Sequence, residues 1–359
     1  MSTSWLETHE RYGGILGERG GQPVPVHYGD PAAEYDAAIR GAGLHHRAYR
    51  GLIEVVGDDR VDWLNNLVTN VVKTLGPGEG NYAFAVNAKG RVVFDCEMLI
   101  HPDRIWLDVE RSCVPRALEH LNHYLITEDV RLADRSDDVT QLALLGPKAA
   151  GVLDSLEASN ATAMAQLQHA TLRFNGQPRV FARLDLHGAF GAVLFVESAD
   201  DGACWQRVLA IGEEQGLRPV GLEAVNAARI EAGIPWPGDD ITDETIPPET
   251  LQAERGISYQ KGCYLGQEVI ERMRSRGSLA RCLIGVIVEG DTAPPLPAKV
   301  VAGDAEIGRL TSVCVSPHVG RPIALGYVKA ASTTPNTPVT IRCEAGELPG
   351  KLSALPFRA

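Results

Sequence analysis

The chain lacks the cysteine pattern of a disulfide framework or a zinc site. It has seven cysteines, Cys96, Cys113, Cys204, Cys263, Cys282, Cys314 and Cys343, an odd number at wide spacing with no CxxC pair. The same spacing gives no sign of a permanent four-cysteine iron–sulfur site. Basic charge is also short: 46 acidic against 34 basic residues give a net charge of −12. Non-specific nucleic-acid binding needs the opposite balance, because phosphates are held by clustered Lys and Arg. No apolar run is long enough to span a bilayer, and the start MSTSWLETHERYGG has no apolar signal core, so a cytoplasmic protein is the expectation. No internal repeat or low-complexity tract stands out.

What is present reads as a globular chain of several elements. Its 359 residues suffice for two or three domains, with 44% apolar and 22% charged residues. Helices are expected near Ala32 to Gly41, after Asp58 or Asp59 (with Trp63, Leu64, Leu67 and Val68 at helical spacing), and from Val114 to Leu125. Further helices are expected from Gln206 to Gly216, from Leu222 to Gly233, and beginning near Gln267. Leu52 to Val56 reads as a strand, VTQLALLGPKAAGVLDSL as strand, turn and helix, and Thr171 to Glu197 as paired strands around Asn175-Gly176. An acidic, proline-rich loop, Ile234 to Glu249, precedes the last helix. From Ala280 onward, strands and turns suggest a small all-β domain.

Asn81 to Ile100 reads as a hairpin turning at Asn87-Ala88-Lys89-Gly90. In its second strand Val92, Phe94, Cys96, Met98 and Ile100 share one face, and Arg91, Val93, Asp95, Glu97 and Leu99 share the other. Asp95 therefore lies opposite the apolar face, which suits either a ligand-lining carboxylate or an exposed one.

The most informative stretch is GISYQKGCYLGQEVIERMRSRG, Gly256 to Gly277. Gly262 and Gly266 permit unusual backbone angles or close approach of a ligand. Cys263 would sit just before a helix N-terminus, where the dipole favours a thiolate, and Lys261 adds positive charge nearby while Glu268 opposes it. An inert packed thiol is the competing reading. His120 and His123, three apart on a helix, have ligand spacing but no third partner, so no metal site is expected. Trp236 and Pro237 either line a pocket or pin their loop.

KGCYLGQE (Lys261, Gly262, Cys263, Tyr264, Gly266, Gln267, Glu268), followed by Arg272, resembles the signature of YgfZ-type folate-binding proteins of the glycine-cleavage T-protein superfamily. The resemblance runs along nearly the whole chain. GLIEVVGDDRVDWLNNLVTNVVKTLGPGEGNYAFAVNAKGRVVFD resembles the T-protein N-terminal region, LALLGP its apolar-Gly-Pro element, RIEAGIPWPGDD its Arg-x-Glu-x-Gly stretch, and Gly308 to Lys329 its C-terminal barrel. It implies an α+β, multidomain T-protein-like fold: a folate-binding region over 1–278, of two interleaved subdomains around a central cavity, and a small β-barrel over 279–359.

The resemblance further implies tetrahydrofolate or a one-carbon derivative as cofactor, with Asn87, Asp95, Arg229 and Glu231 in its site, although an ion pair explains the last two equally well. Cys263 and Asp95 are then the expected chemical groups, and iron–sulfur client enzymes the expected partners. Two stretches depart from the T-protein pattern. Where T-proteins read Asp-x-Ser-His, this chain has His46, Ala48 and Tyr49. Where they carry a pterin-holding Glu, LDLHGAFGAVLFVES has none before Glu197. The leading expectation is thus a folate-binding factor for iron–sulfur assembly or repair. A folate-dependent aminomethyltransferase or demethylase using Asp95, and a non-catalytic folate-sensing scaffold, are the alternatives.

Overall fold

The computed structural model describes residues 3–158, 161–174, 176–277 and 279–358. Contacts divide the chain into two units: Met1–Ala85, Val93–Val225 and Ile257–Tyr264 form the first, and Val86–Val92, Asn226–Gly256 and Leu265–Ala359 the second. The domain boundary expected at 278/279 touches Ser278, which lies outside the described residues.

The first unit contains two larger sheets. One has the strand order Gly80–Val86, Val92–Ile100, Arg104–Glu110, Arg50–Val56 and Arg131–Asp134. Its apolar face, with Ile53, Val55, Phe94, Cys96, Met98, Ile105 and Leu107, packs on helices Arg60–Asn65 and Val114–His123. The second runs His169–Phe174, Gln177–Arg183, Gly191–Glu197, Val139–Leu145, Gly43–His46 and Arg218–Pro219, and packs on helices Ala149–Ser155 and Asp201–Ile211. The strands either side of the expected Asn175-Gly176 turn pair from Phe174 with Gln177, and Asn175 itself lies outside the described residues.

Several elements differ from the local reading. The helix after Asp59 stops at Asn65, so Leu67 and Val68 are buried beyond its end. Asp59 makes no side-chain cap; its carboxylate instead accepts the Asp129 N–H at 2.8 Å. The helix expected over Gln206 to Gly216 spans Asp201–Ile211, because Cys204, Trp205, Val208 and Leu209 supply its buried face while 213–215 are polar. The N-terminal helix Thr3–Arg11 and the hairpin Ile15–Arg19/Gln22–His27 have no strong local pattern, and Trp5 and Val24 fasten them in a small core with Ala48 and Tyr49.

The second unit ends in a closed six-stranded barrel, ordered Arg281–Val288, Arg321–Lys329, Ala305–Ser316, Lys299–Ala302, Pro338–Cys343 and Gly346–Ser353. Val286, Val288, Val300, Ala324, Val328, Ile341 and Leu352 fill it. The fold is α+β with a C-terminal β-barrel. No helix among the described residues is long and apolar enough to cross a membrane.

Candidate functional site

Within the first unit, residues 257–264 lie against the turn that follows helix Arg60–Asn65. Ser258 donates its N–H to the Thr69 carbonyl at 3.0 Å. The Lys261 ammonium donates to the carbonyls of Asn65 at 2.5 Å, Val68 at 2.7 Å and Asn70 at 2.8 Å. Burial, with a smaller contribution from Lys73, lowers Lys261 to about 8. The ring of buried Tyr264 lies 5.3 Å from that ammonium. Gly262 and Cys263 between them are exposed, and a Cβ on Gly262 would meet no atom within 4 Å. Cys263 is the one exposed thiol of the seven; Cys96, Cys113 and Cys204 are buried and the other three half-buried. Burial pushes Cys204 up to about 11 and Cys314 up to about 12, as expected of inert packed thiols.

Asp95 is 7% exposed, so the hairpin face opposite the apolar one is not a solvent face at this position. Its Oδ2 accepts the Tyr82 hydroxyl at 2.7 Å. Tyr82 is placed in turn by Asn70, whose amide donates to the Tyr82 carbonyl at 2.8 Å and to Asn81 Oδ1 at 2.9 Å. The turn that receives Lys261 therefore also orients the tyrosine on Asp95. Glu97, two residues further along the same face, belongs to a buried ionic network. Arg50 donates from Nη2 to Glu97 at 2.5 Å and from Nε to Asp108 at 2.7 Å, Arg47 reaches Asp108 at 3.2 Å, and Arg19 reaches Glu110 at 3.2 Å.

A second buried polar array escaped the sequence reading. The Tyr28 hydroxyl lies 2.7 Å from His9 Nδ1, His9 Nε2 lies 2.9 Å from His46 Nδ1, and His46 Nε2 lies 2.9 Å from Thr140 Oγ1. Trp5 and Trp205 close on the rings edge-on, with centroids 4.9 Å from His46 and 4.4 Å from His9 respectively. His46, noted as a departure, is thus part of the core. These residues come from separated segments, and no local signal links them.

In the second unit, Gly266 precedes helix Gln267–Arg276 with φ +77°, and a Cβ there would come within 2.5 Å of the Asn87 carbonyl oxygen. Both conditions exclude a side chain. Gln267 opens this helix as expected, and Glu268 and Arg272 are exposed on it. The Asn87 side chain shapes the hairpin turn, its Oδ1 accepting the N–H groups of Lys89 at 2.9 Å and Arg91 at 3.2 Å.

Arg229 and Glu231 are fully buried frame residues. Arg229 pairs with Asp240, donates to Ser312 at 2.7 Å and stacks 4.5 Å from the Trp236 ring. Glu231 accepts the Ser316 hydroxyl and the His318 N–H, with Arg358 at 3.6 Å. Their charged groups tie the 234–241 loop and the chain end to the barrel. Glu197 is a surface carboxylate, 64% exposed and paired with Arg179 at 2.9 Å. His120 packs edge-on to Tyr124, and no group of three or more His, Cys, Asp or Glu suited to a metal occurs among the described residues.

Residues 5–256 match the GCVT N-terminal domain, and residues 281–358 match the glycine cleavage T-protein C-terminal barrel domain. An aminomethyltransferase of Symbiobacterium thermophilum is 30% identical over 99% of this chain and 96% of its own length. That of Streptomyces coelicolor is 29% identical over 98% and 95%. The crystal structure of glycine cleavage system aminomethyltransferase T from Bartonella henselae superposes with a TM-score of 0.87 at 22% identity, covering 98% of this chain and 96% of that one, a likeness of fold. With both family domains matched in order along its length, the chain belongs to the glycine cleavage T-protein family.

Proposed function

We propose that this chain binds a tetrahydrofolate and serves, as a YgfZ-like member of the family, in the assembly or repair of iron–sulfur clusters in client enzymes. The observation that carries this reading is Cys263, the one exposed thiol, displayed between two residues that clasp the loop. A free accessible thiol can ligate iron transiently, accept sulfur or undergo oxidation, whereas the buried cysteines are shielded from such chemistry. Tetrahydrofolate, when bound, supplies nitrogen atoms that carry a one-carbon unit. Asp95 suits such a cofactor: a buried carboxylate oriented by a tyrosine hydroxyl can accept from, or hold a proton for, a ligand nitrogen. The departures at His46 and at 184–198 support a function other than glycine cleavage, since His46 is absorbed into the core and Glu197 pairs with Arg179.

Two measurements test this. Cys263→Ala is expected to lower the activity of an iron–sulfur client enzyme in cells to the level seen without the protein; full support by the variant would sink the thiol-centred reading. In titrations of the purified protein, Asp95→Ala is expected to weaken tetrahydrofolate binding by about tenfold, the scale of one charge-assisted hydrogen bond. Unchanged affinity would remove Asp95 from the cofactor site.

A second reading, folate-dependent aminomethyl transfer with Asp95 as acid–base group, is favoured by the whole-length similarity to proteins named aminomethyltransferase. It requires one-carbon transfer from an aminomethyl donor to added tetrahydrofolate, abolished in Asp95→Asn and indifferent to Cys263→Ala. No turnover across a broad set of donors would discard it.

A further inference from the structure

We propose that Lys261 is the positioning residue of the Cys263 loop, holding it by docking its ammonium into a cup of three backbone carbonyls. The inference rests on Cys263 being the working thiol, and it assigns the lysine of KGCYLGQE the task of presenting that thiol rather than activating it.

An ammonium has three N–H donors and no acceptor. Three carbonyl oxygens, of Asn65, Val68 and Asn70, stand 2.5, 2.7 and 2.8 Å from Lys261 Nζ, so every donor has a partner. These carbonyls lie at and beyond the end of helix Arg60–Asn65, where oxygen atoms lack intrahelical partners and carry partial negative charge. The Tyr264 ring adds a cation–π contact from the other side of the thiol. Lys261 and Tyr264 thereby clamp both flanks of Gly262-Cys263 and leave those two residues outside.

The cup is itself braced. Asn65 Oδ1 accepts the Val72 N–H at 3.0 Å, and Thr69 donates its N–H to the Phe84 carbonyl and accepts the Ser258 N–H. Through Asn70 it also reaches Tyr82 and hence Asp95, so one turn supports both the thiol loop and the buried carboxylate. Lys73, whose charge also lowers Lys261, is itself paired with Asp62 at 2.8 Å. With its ammonium lowered to about 8, Lys261 still carries all three donors at neutral pH.

The experiment follows iodoacetamide alkylation of Cys263 in the full-length protein, resolved by mass spectrometry from about pH 6 to about pH 10 and separated into a midpoint and a limiting rate. Cys343, on the barrel, is the internal reference. In Lys261→Met the limiting rate at Cys263 is expected to change by about fivefold or more with the midpoint unmoved and Cys343 unaffected. Lys261→Arg keeps the charge, but its planar fork cannot serve three convergent carbonyls, so it is expected to resemble the methionine variant.

A midpoint that rises by about one unit in Lys261→Met and is restored by arginine would assign the lysine an electrostatic role and overturn the proposal. So would a Cys263 profile that neither variant changes. If the variants do not fold, reductive methylation of the native wild-type protein decides. With each rate divided by the free-amine fraction at that pH, Lys261 is expected to react about tenfold more slowly than the other six lysines, and equal corrected rates overturn the cup. These readouts involve neither client enzyme nor folate, so they stand or fall separately from the iron–sulfur reading.

Discussion

Arg50→Met is expected to lower the stability of the first unit by about 3–5 kcal/mol, the cost of removing one partner from a buried ionic pair. Against a total of roughly 5–15 kcal/mol for a folded domain, a loss of that size removes a large share of the margin. Arg50 is 8% exposed and serves three carboxylates, bonding Asp108 at 2.7 Å and Glu97 at 2.5 Å, with Glu110 at 3.9 Å. Burial works against its charge, yet Asp108, Glu97 and Glu110 together hold its guanidinium well above the ordinary range. Asp108 is likewise held low by Arg50 and Arg47 in spite of burial, whereas Glu97 is raised, burial outweighing its share of Arg50.

Methionine fills a similar volume but removes the guanidinium that Asp108, Glu97 and Glu110 share. Urea unfolding of the variant reads the loss as a shift of the midpoint. Adding Glu97→Gln and Asp108→Asn to Arg50→Met should recover part of it, because the deficit is uncompensated charge rather than lost packing. An unshifted midpoint in the single variant would show that the network is not holding strands Arg50–Val56, Val92–Ile100 and Arg104–Glu110 together.

Acidification is expected to destabilise the protein steeply, by about 3 kcal/mol per pH unit between about pH 6 and pH 4, if about two net protons are taken up on unfolding. Six histidines are lowered, chiefly by burial: His9 to about 3, His45 and His101 to about 4, and His46, His120 and His169 in the same direction. Their unfolded value is near 6.5. A histidine depressed in the folded state contributes stability that is complete above about 6.5 and is lost as pH falls toward its folded value, because only the unfolded chain takes the proton in that window. Asp201, raised by burial to about 6, and Glu97, also raised, act in the opposite sense by binding protons in the folded state first. The histidines outnumber them.

The His9–His46 pair sharpens this expectation. Two rings whose facing nitrogens lie 2.9 Å apart, closed in by Trp5 and Trp205, cannot both accept a proton. Urea titrations at about pH 7 and about pH 5 would measure the slope, and His9→Gln should flatten it by releasing one of the titrating rings. Equal stability at the two pH values would mean that the rings are solvated or already charged.

How much of this was legible in the sequence differs by residue. Alternation along Val92–Ile100 separated the apolar face from the face of Asp95 and Glu97, because side-chain direction in a strand has period two. The helix beginning at Gln267, with glycines at both ends, and the Asn87–Gly90 turn were likewise readable, since each depends on the backbone preferences of a few adjacent residues. The start of the helix over Asp201–Ile211 has no such local signal, because it is set by packing of Cys204 and Trp205 rather than by a capping side chain.

Whether the Asp95 face was wet or buried was undetermined, as alternation ranks the faces of a strand without saying what covers them. For KGCYLGQE, the sequence by itself determined the glycine that must precede the helix and the cysteine that stands ahead of it. Only the tertiary structure decided where the lysine goes: its ammonium reaches carbonyls as many as 196 positions away, and its partners are backbone atoms, which carry no residue-specific signature. The same holds for His9 and His46, 37 positions apart, and for Arg229 with Ser312. Local patterns specify elements because backbone sterics and periodicity act over a few residues. Buried polar pairing is decided by which groups the packed elements bring together, and by the cost of leaving any of them unpaired.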